Sequence, residues 1–88
     1  MAGLASNRPP AYPALALRRR QEGRVILRVT VAATGSVLAV SVLRSSGYGS
    51  LDAAAADAVR QWRFVPASRG GVPVEGVAEA PVDFHLAG

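Results

Sequence analysis

Cysteine and lysine are absent from this 88-residue chain, and histidine occurs once, as His85. Without cysteine, the chain can form no disulfide bond and offers no thiolate as a nucleophile or metal ligand. A single histidine is fewer than zinc sites use. We therefore expect no bound metal and no cofactor.

Long apolar runs are also missing. The chain has no stretch of about 18 apolar residues, so the sequence predicts no transmembrane helix. The first ten residues lack the charged start and apolar centre of a signal peptide. We expect either a cytoplasmic protein or a domain of a longer chain, and the length indicates one domain with a thin core.

Aromatic residues make up only 6% of the chain, and all ten of its strongly basic residues are arginine, for a net charge of +4. A basic balance can favour nucleic acid, anionic lipid or an acidic protein as the partner. The usual nucleic-acid motifs are missing, and only Tyr12 and Tyr48 are expected to be exposed for base stacking. We expect no nucleic-acid partner, although a small basic nucleic-acid-binding module stays open as an alternative.

The strongest local pattern lies between Ser50 and Pro66 and predicts the main helix. Ser50 is the expected N-cap, and Asp52 would lie in the first turn, where the helix dipole favours negative charge. Pro66 stops any helical continuation. The apolar residues recur at the spacing of one helical face; they are Leu51, Ala54, Ala55, Ala58, Val59 and Trp62.

This face is mostly alanine, which lets a helix lie close against a sheet, until Trp62 supplies a large ring. We expect Trp62 and Phe64 to close the core, and we favour this role for Trp62 over stacking against a ligand. On that interpretation, Trp62→Ala would cost about 3–5 kcal/mol of stability.

Two strands are predicted ahead of this helix, at Arg24 to Val31 and at Val37 to Arg44. The first alternates apolar and polar residues, which is the period of a half-buried strand. The turn between them is predicted at Ala32 to Gly35, with Gly35 supplying the positive φ that tight hairpin loops need.

The alternation of the second strand is less regular. Val40 and Val42 agree in phase, but Val37 does not agree with them. A β-bulge near Leu38–Ala39 would bring all three onto one face, so we expect one there.

A short helix is predicted at the amino-terminal end, from Ala14 to Gln21. Pro13 would stand at its first turn and Gly23 would end it. Leu15 is its expected inward residue.

The last strand is predicted at Ala80 to Leu86, after a loop from Ala67 to Gly76. Val82, Phe84 and Leu86 alternate with polar residues. Because proline cannot donate to a ladder, Pro81 predicts that this strand lies at a sheet edge.

The predicted order is therefore helix, strand, strand, helix, strand. It indicates an α+β fold of two layers, in which a three-stranded antiparallel sheet carries one main helix and a short amino-terminal helix. Residues 1–11 are predicted to be a flexible lead-in, because Arg8-Pro9-Pro10 favours extended backbone. The folded domain is predicted at residues 12–88.

The sequence predicts no catalytic residues. Ser45 and Ser46 lack the nucleophile-elbow pattern and a nearby histidine. Asp83 and His85 share the outer face of the last strand, which we interpret as a solvent-exposed polar face. An exposed sheet edge, in contrast, is a standard place for adding a partner's strand. The residues alone therefore indicate a binding module rather than an enzyme.

Several short motifs, taken in order, resemble the carboxy-terminal domain of the TonB family of energy transducers in Gram-negative bacteria. The resemblance covers Tyr12 to Leu86. Each motif is weak alone, but their order and spacing together are specific. The motifs are Tyr12-Pro13, Glu22-Gly23-x-Val25, Gly35-x-Val37, Ser45-Ser46-Gly47, Leu51-Asp52 with Ala55, Ala58, Val59, Trp62, Phe64 and Pro66, then Gly71-x-Pro73-Val74 and Pro81-Val82-x-Phe84-x-Leu86.

The resemblance implies a periplasmic domain of a protein anchored in the inner membrane. Such a domain binds the TonB box of an outer-membrane TonB-dependent transporter by strand addition. It passes on force from the proton gradient, through the ExbB–ExbD motor and an amino-terminal anchor, for uptake of iron–siderophores, haem or vitamin B12. The same domain type in another envelope sensor protein is the alternative.

The resemblance also implies which residues meet the partner. The box would pair with the last strand, and residues just before the first strand would touch the transporter. The arginines there could contact an acidic transporter surface. A homodimer through the last strand is a competing use of the same edge. The expected partner-binding residues are Leu17, Arg18, Arg19, Arg20, Pro81, Val82, Asp83, Phe84, His85 and Leu86.

Overall fold

A computed structural model of the protein describes residues 3–4 and 7–86. Its elements include two helices and a central three-stranded sheet, with two short two-stranded pairings beside it. In chain order they are β1 (Gly3–Leu4), α1 (Ala14–Arg18), β2 (Gly23–Val31), β3 (Val37–Arg44), α2 (Gly49–Val59), β4 (Phe64–Val65), β5 (Ala67–Arg69), β6 (Val72–Val74) and β7 (Gly76–Phe84).

The central sheet is antiparallel with the strand order β3-β2-β7. The α+β prediction is confirmed: one main helix lies on this sheet, and a short helix precedes it. The side chains of β2 alternate as expected, with every second residue buried beneath α2 and the others turned outward. The buried ones are Val25, Leu27, Val29 and Val31.

The β2–β3 hairpin follows the sequence closely. Gly35 has φ of +93°, as the tight turn requires. The predicted bulge is also present, because Thr30 pairs with Ala39 whereas Val31 pairs with Val37, which leaves Leu38 unpaired. A second shift of register, not predicted, leaves Leu43 unpaired near the end of β3.

The main helix begins two residues earlier than predicted, at Gly49 rather than Leu51, and ends at Val59, well before Pro66. Its N-cap residue is Tyr48, so the prediction of Ser50 as N-cap is wrong. The N-cap residue makes no capping hydrogen bond through its side chain, and the carboxylate of Asp52 in the first turn accepts hydrogen bonds from Ser46 in the preceding loop. The buried face of the helix consists of Leu51, Ala55, Ala56 and Val59.

Beyond the helix, Phe64 is buried as predicted, but Trp62 is only partly buried. The two rings pack at a centroid distance of 6.3 Å and a tilt of 40°. Trp62 therefore covers the core from its rim rather than filling it.

The short helix α1 ends at Arg18 rather than Gln21, and its inward residue is Ala16 rather than Leu15. Leu15 is 51% exposed, whereas Ala16 is fully buried. The prediction for Leu15 is wrong because a helix of five residues is too short to show which face its apolar residues share.

The stretch from Ala67 to Gly76, predicted to be a loop, contains the hairpin β5–β6. Gly70 and Gly71 both have positive φ, as a two-residue hairpin turn requires. The last strand then begins at Gly76 instead of Ala80 and ends at Phe84, so His85 and Leu86 lie beyond it.

Candidate functional site: the free edge of the last strand

The free edge of β7 is the candidate binding site. All nine residues of β7 pair with β2 in one unbroken register, from Gly76 opposite Val31 to Phe84 opposite Gly23. Within residues 3–4 and 7–86, no strand pairs with the other side of β7. The prediction that the strand with Pro81 lies at a sheet edge is thus confirmed for the described part of the chain.

The side chains of β7 divide sharply between core and solvent. Val82 and Phe84 are each only 4% exposed and anchor the strand in the core. Pro81 and Asp83 are exposed on the outer face. A strand held this firmly from within presents its free edge as a rigid template.

The carboxylate of Asp83 on this face is paired with Arg24. The Arg24 guanidinium donates to both of its oxygens, at 2.7 Å from Nε and 3.1 Å from Nη2. This hydrogen-bonded pair is the main cause that lowers the pKa of Asp83, against a smaller opposing effect of desolvation. Asp83 therefore stays ionised and helps to hold β7 on β2.

Beyond β7, the backbone is tied down by Glu22. Its Oε1 accepts a hydrogen bond from the Leu86 N–H at 2.7 Å and lies 3.2 Å from Nδ1 of His85. The residues Glu22, Gly23, Asp83, Phe84 and His85 line an open cavity of about 450 Å³ at this end of the strand. His85 is well exposed there, and Leu86 is half-buried.

The predicted contact residues before β2 lie at the carboxyl end of α1. Leu17 is 50% exposed, and Arg18, Arg19 and Arg20 are exposed as well. Arg20 has φ of +52°, which turns the chain from α1 into β2. None of these three arginines forms an ion pair in the part of the chain that the structure describes.

Tyr12 connects the two groups of predicted residues. Its ring packs edge-on against Phe84, at a centroid distance of 5.3 Å, and its hydroxyl donates to the carbonyl oxygen of Gln21. Burial is the main cause that raises the pKa of Tyr12, and the nearby Glu22 charge adds to it. The segment before β2 and the end of β7 therefore form one continuous surface.

The two serines before α2 are hydrogen-bonded to the first turn of the helix. Ser45 and Ser46 both donate to the carboxylate of Asp52. Among the described residues there is no cluster of three or more acidic or histidine side chains that could hold a metal ion. None of the helices formed by these residues has the length and apolar character needed to cross a membrane.

Sequence reasoning missed Tyr12 as a connector and Glu22 and Arg24 as supports of the edge. Arg24 could have been found, because it lies opposite Asp83 once β2 and β7 are paired antiparallel. Tyr12 and Glu22 act on residues more than sixty positions away, and no local pattern indicates such contacts.

Comparison with known sequences identifies the family. The sequence model described as Gram-negative bacterial TonB protein C-terminal matches residues 8–86. The chain is 51% identical over 85 residues to Protein tonB2 of Pseudomonas aeruginosa, which covers 97% of this chain and 32% of that protein. It is 45% identical over 78 residues to Protein TonB of Xanthomonas campestris, which covers 89% of this chain and 35% of that protein. The chain thus spans about a third of the length of these curated relatives.

Solved structures of TonB C-terminal domains share the fold of this chain. The solution structure of the Pseudomonas aeruginosa TonB C-terminal domain superposes with a TM-score of 0.78 at 30% identity, covering 97% of this chain and 86% of that one. The Helicobacter pylori TonB C-terminal domain superposes with a TM-score of 0.66 at 25% identity, covering 85% and 78% respectively. The chain therefore belongs to the TonB family: its sequence and its fold both match the carboxy-terminal domain of that family.

Proposed function

We propose that this domain binds the TonB box of an outer-membrane TonB-dependent transporter and takes up that extended segment as a fourth strand beside β7. On this proposal it acts in the periplasm as part of a protein anchored in the inner membrane. The ExbB–ExbD motor would supply force from the proton gradient through that anchor. The transporter would use the force to take up an iron–siderophore, haem or vitamin B12.

The observation that carries the proposal is the difference between the two edges of the sheet. β7 has nine residues in unbroken register with β2, whereas the register of β3 is interrupted at Leu38 and Leu43. Bulges bend a strand and leave residues unpaired, which blunts an edge against further pairing. β7 is therefore the edge that can accept a strand.

Pro81 defines where an added strand would find its hydrogen bonds. Proline fits a sheet where its nitrogen faces away from the neighbouring strand. If Pro81 turns away from β2, then alternation turns the N–H groups of Glu79 and Asp83 toward the free edge as well. The added strand would then find no N–H donor at Pro81 and would find donors on either side of it, at Glu79 and Asp83.

The buried neighbours support this arrangement mechanically. Val82 and Phe84 fix the strand from within, and Arg24 holds Asp83 from the outer face. Main-chain pairing spreads a pull over several hydrogen bonds and needs little side-chain sequence. Pairing at this edge thus suits a domain that must hold many transporters by a short segment.

The surface before β2 would add a second contact. Leu17 offers exposed apolar area, and Arg18, Arg19 and Arg20 offer three positive charges without ion-pair partners among the described residues. We propose that this surface meets an acidic region of the transporter next to the box. The predicted contacts with Pro81 to Leu86 and with Leu17 to Arg20 would then form one footprint, joined by Tyr12.

An amide NMR titration of the labelled domain with a short TonB-box peptide tests the proposal. We expect shifts that cluster from Val82 to Leu86, with smaller shifts on the amides of β2. The control is the same peptide with alternate backbone amides N-methylated, which removes half of its N–H groups and leaves its side chains unchanged. Methylation in the pairing register should abolish binding, and methylation in the other register should not.

Two results would contradict strand addition. One is equal binding of both methylated peptides, since contacts through side chains alone would then suffice. The other is the absence of shifts at millimolar peptide with the fold intact. That second result would favour the same fold serving another envelope sensor protein.

A further inference from the structure

The segment Asn7–Pro10 lies against the end of α2 and is held there by three hydrogen bonds. Nε1 of Trp62 donates to the carbonyl oxygen of Arg8 at 2.7 Å. The Arg63 N–H donates to Oδ1 of Asn7 at 2.7 Å, and Nδ2 of Asn7 donates to the Arg63 carbonyl oxygen at 2.9 Å. The Asn7 side chain thus satisfies both backbone groups of one residue that is 56 positions away.

The conformation of this segment follows from its sequence. Proline fixes its own φ and disfavours helical backbone at the residue before it, so Arg8, Pro9 and Pro10 take a polyproline-like course. Such a segment forms no internal hydrogen bonds, and its carbonyl groups stay available to outside donors. Trp62 supplies a donor of this kind, from a ring whose body rests on Phe64.

Aromatic grooves that donate to the backbone are the general means by which proteins recognise proline-rich segments. Here an open cavity of about 660 Å³ lies beside the segment, and Pro9 and Pro10 are themselves part of its lining. Ala54 and Ala58 of α2 line it as well, together with Trp62. The half-burial of Trp62, which the core does not require, is explained if the ring also serves this groove.

We propose that Trp62, Arg63 and the outer face of α2 form a binding site for a proline-rich segment, and that its occupant is the chain's own Asn7–Pro10. The site is separate from the free edge of β7, and the inference does not depend on the proposed transporter. Tension applied on the amino-terminal side of Asn7 would meet these three hydrogen bonds before it reached the central sheet.

The occupancy of the site in the full 88-residue chain can be measured by backbone NMR relaxation. In the wild type, the amides of Asn7, Arg8 and Ala11 should have heteronuclear NOE values close to those of β2. Trp62→Phe keeps an aromatic body but removes the donor, and Asn7→Ala removes the other two bonds. Each should lower the values at residues 7 and 8 while leaving β2 unchanged.

Tyr48→Phe is the matched control, since it removes a polar group from an exposed aromatic residue elsewhere and should leave the segment ordered. Two outcomes would overturn the proposal. Either the segment is already mobile in the wild type, or it stays as ordered in Trp62→Phe as in the wild type.

Recognition, as opposed to incidental packing, requires that the site also bind the segment when it is supplied separately. A chain with Asn7→Gly, Pro9→Gly and Pro10→Gly loses the two Asn7 hydrogen bonds and the polyproline-like course of the segment, and the probe is a peptide with the sequence of residues 5–12. Because an intramolecular segment has an effective concentration in the millimolar range, the peptide should be titrated to several millimolar.

The indole N–H signal of Trp62 should shift on addition of this peptide. A peptide with alanine in place of both prolines should bind at least about tenfold more weakly, which corresponds to about 1.4 kcal/mol. Equal shifts with both peptides, or no shift with the first, would reject a proline-rich ligand. Trp62→Phe in the same chain should weaken binding by a similar factor, because it removes one hydrogen bond.

Discussion

Asp52 concentrates several contacts in one carboxylate at the start of α2. It accepts a hydrogen bond from the Ser46 N–H at 2.9 Å, another from Ser46 Oγ at 2.7 Å, and a third from Ser45 Oγ. The first turn of a helix favours negative charge, so the same group also interacts favourably with the helix dipole. At the scale of single residues, this carboxylate joins the loop before α2 to the first turn of the helix.

Replacing Asp52 by asparagine should lower the free energy of unfolding by about 1 kcal/mol at pH 7, because the neutral side chain loses the favourable interaction with the helix dipole and accepts weaker hydrogen bonds from Ser45 and Ser46. Desolvation opposes the charged form, but the hydrogen bonds from Ser45 and Ser46 prevail and lower the pKa of Asp52. Because the folded pKa is below the unfolded one, this stabilisation is present above the unfolded pKa and is lost as pH falls through the folded pKa. The difference between wild type and Asp52→Asn should therefore shrink as the pH is lowered.

Urea unfolding monitored by Trp62 fluorescence, repeated over an acidic pH series, measures this difference. Asp57→Asn is the control on the same helix. Asp57 forms an exposed ion pair with Arg60, three residues on, and its loss should cost at most about 0.5 kcal/mol. A pH-independent difference for Asp52→Asn would show that its charge is not what stabilises the helix start.

Gly35 is constrained both by its backbone angle and by its neighbours. Its φ is +93°, and a Cβ at this position would lie 2.5 Å from the carbonyl oxygen of Phe64. Gly47 has nearly the same φ, +96°, with nothing within 4 Å of such a Cβ. Gly47→Ala should therefore cost about 1–3 kcal/mol from the backbone angle alone, and Gly35→Ala should cost more. Equal losses in thermal or urea unfolding would mean that the turn moves away from Phe64 freely.

At the scale of elements, the two aromatic residues after α2 differ in burial: Phe64 packs inside the core and Trp62 packs at its rim. Phe64 is 4% exposed, so Phe64→Ala should cost about 3–5 kcal/mol. Trp62 is larger but only partly buried, so Trp62→Ala should cost less than Phe64→Ala, despite removing more atoms. Urea unfolding of both variants, followed by circular dichroism because one lacks the tryptophan, tests this order. The reverse order would return Trp62 to the core, as its sequence pattern suggested.

The elements that the sequence predicted well are those with a period long enough to recognise. The eight residues from Arg24 to Val31 alternate clearly, and the mismatch in phase of Val37 was sufficient to locate the bulge at Leu38. The turn at Gly35 was equally predictable, because glycine adopts such an angle without strain. In each case, local sterics and local burial point to the same structure.

In the elements that the sequence did not predict, local sterics and local burial do not indicate the same structure. The first half of β7 buries Ala78 and Ala80, small residues with little preference for strands, so the sequence predicted the strand only from Ala80 onward. β5 and β6 have three residues each, and β6 contains Pro73. For the candidate site, Pro81 was enough to predict the edge. The pairing of Arg24 with Asp83 and the contact of Tyr12 with Phe84 depend on tertiary structure that no local pattern specifies.

At the scale of the whole molecule, the chain has ten arginines and six acidic residues, and the arginines differ in whether they form ion pairs. Arg24 and Arg60 form ion pairs, whereas Arg18, Arg19 and Arg20 have none in the described part of the chain. Unpaired surface charge does little for stability, but it can steer an oppositely charged partner toward the site. The concentration of three such residues beside the end of β7 therefore bears on binding more than on folding.

Replacing Arg18, Arg19 and Arg20 together by alanine should weaken binding of a whole transporter more at low salt than at high salt, because exposed charges are screened over about 10 Å at 0.1 M ionic strength. Binding of the isolated box peptide should change much less, since the peptide reaches only the β7 edge.

The control removes the same charge elsewhere, through Arg28, Arg63 and Arg69→Ala, and it should leave a smaller salt-dependent loss. Titration calorimetry at two or more salt concentrations separates these cases. If the two triple variants lose affinity equally, net charge alone attracts the transporter; if neither shows a salt-dependent loss, the arginine surface beside β7 does not meet an acidic one.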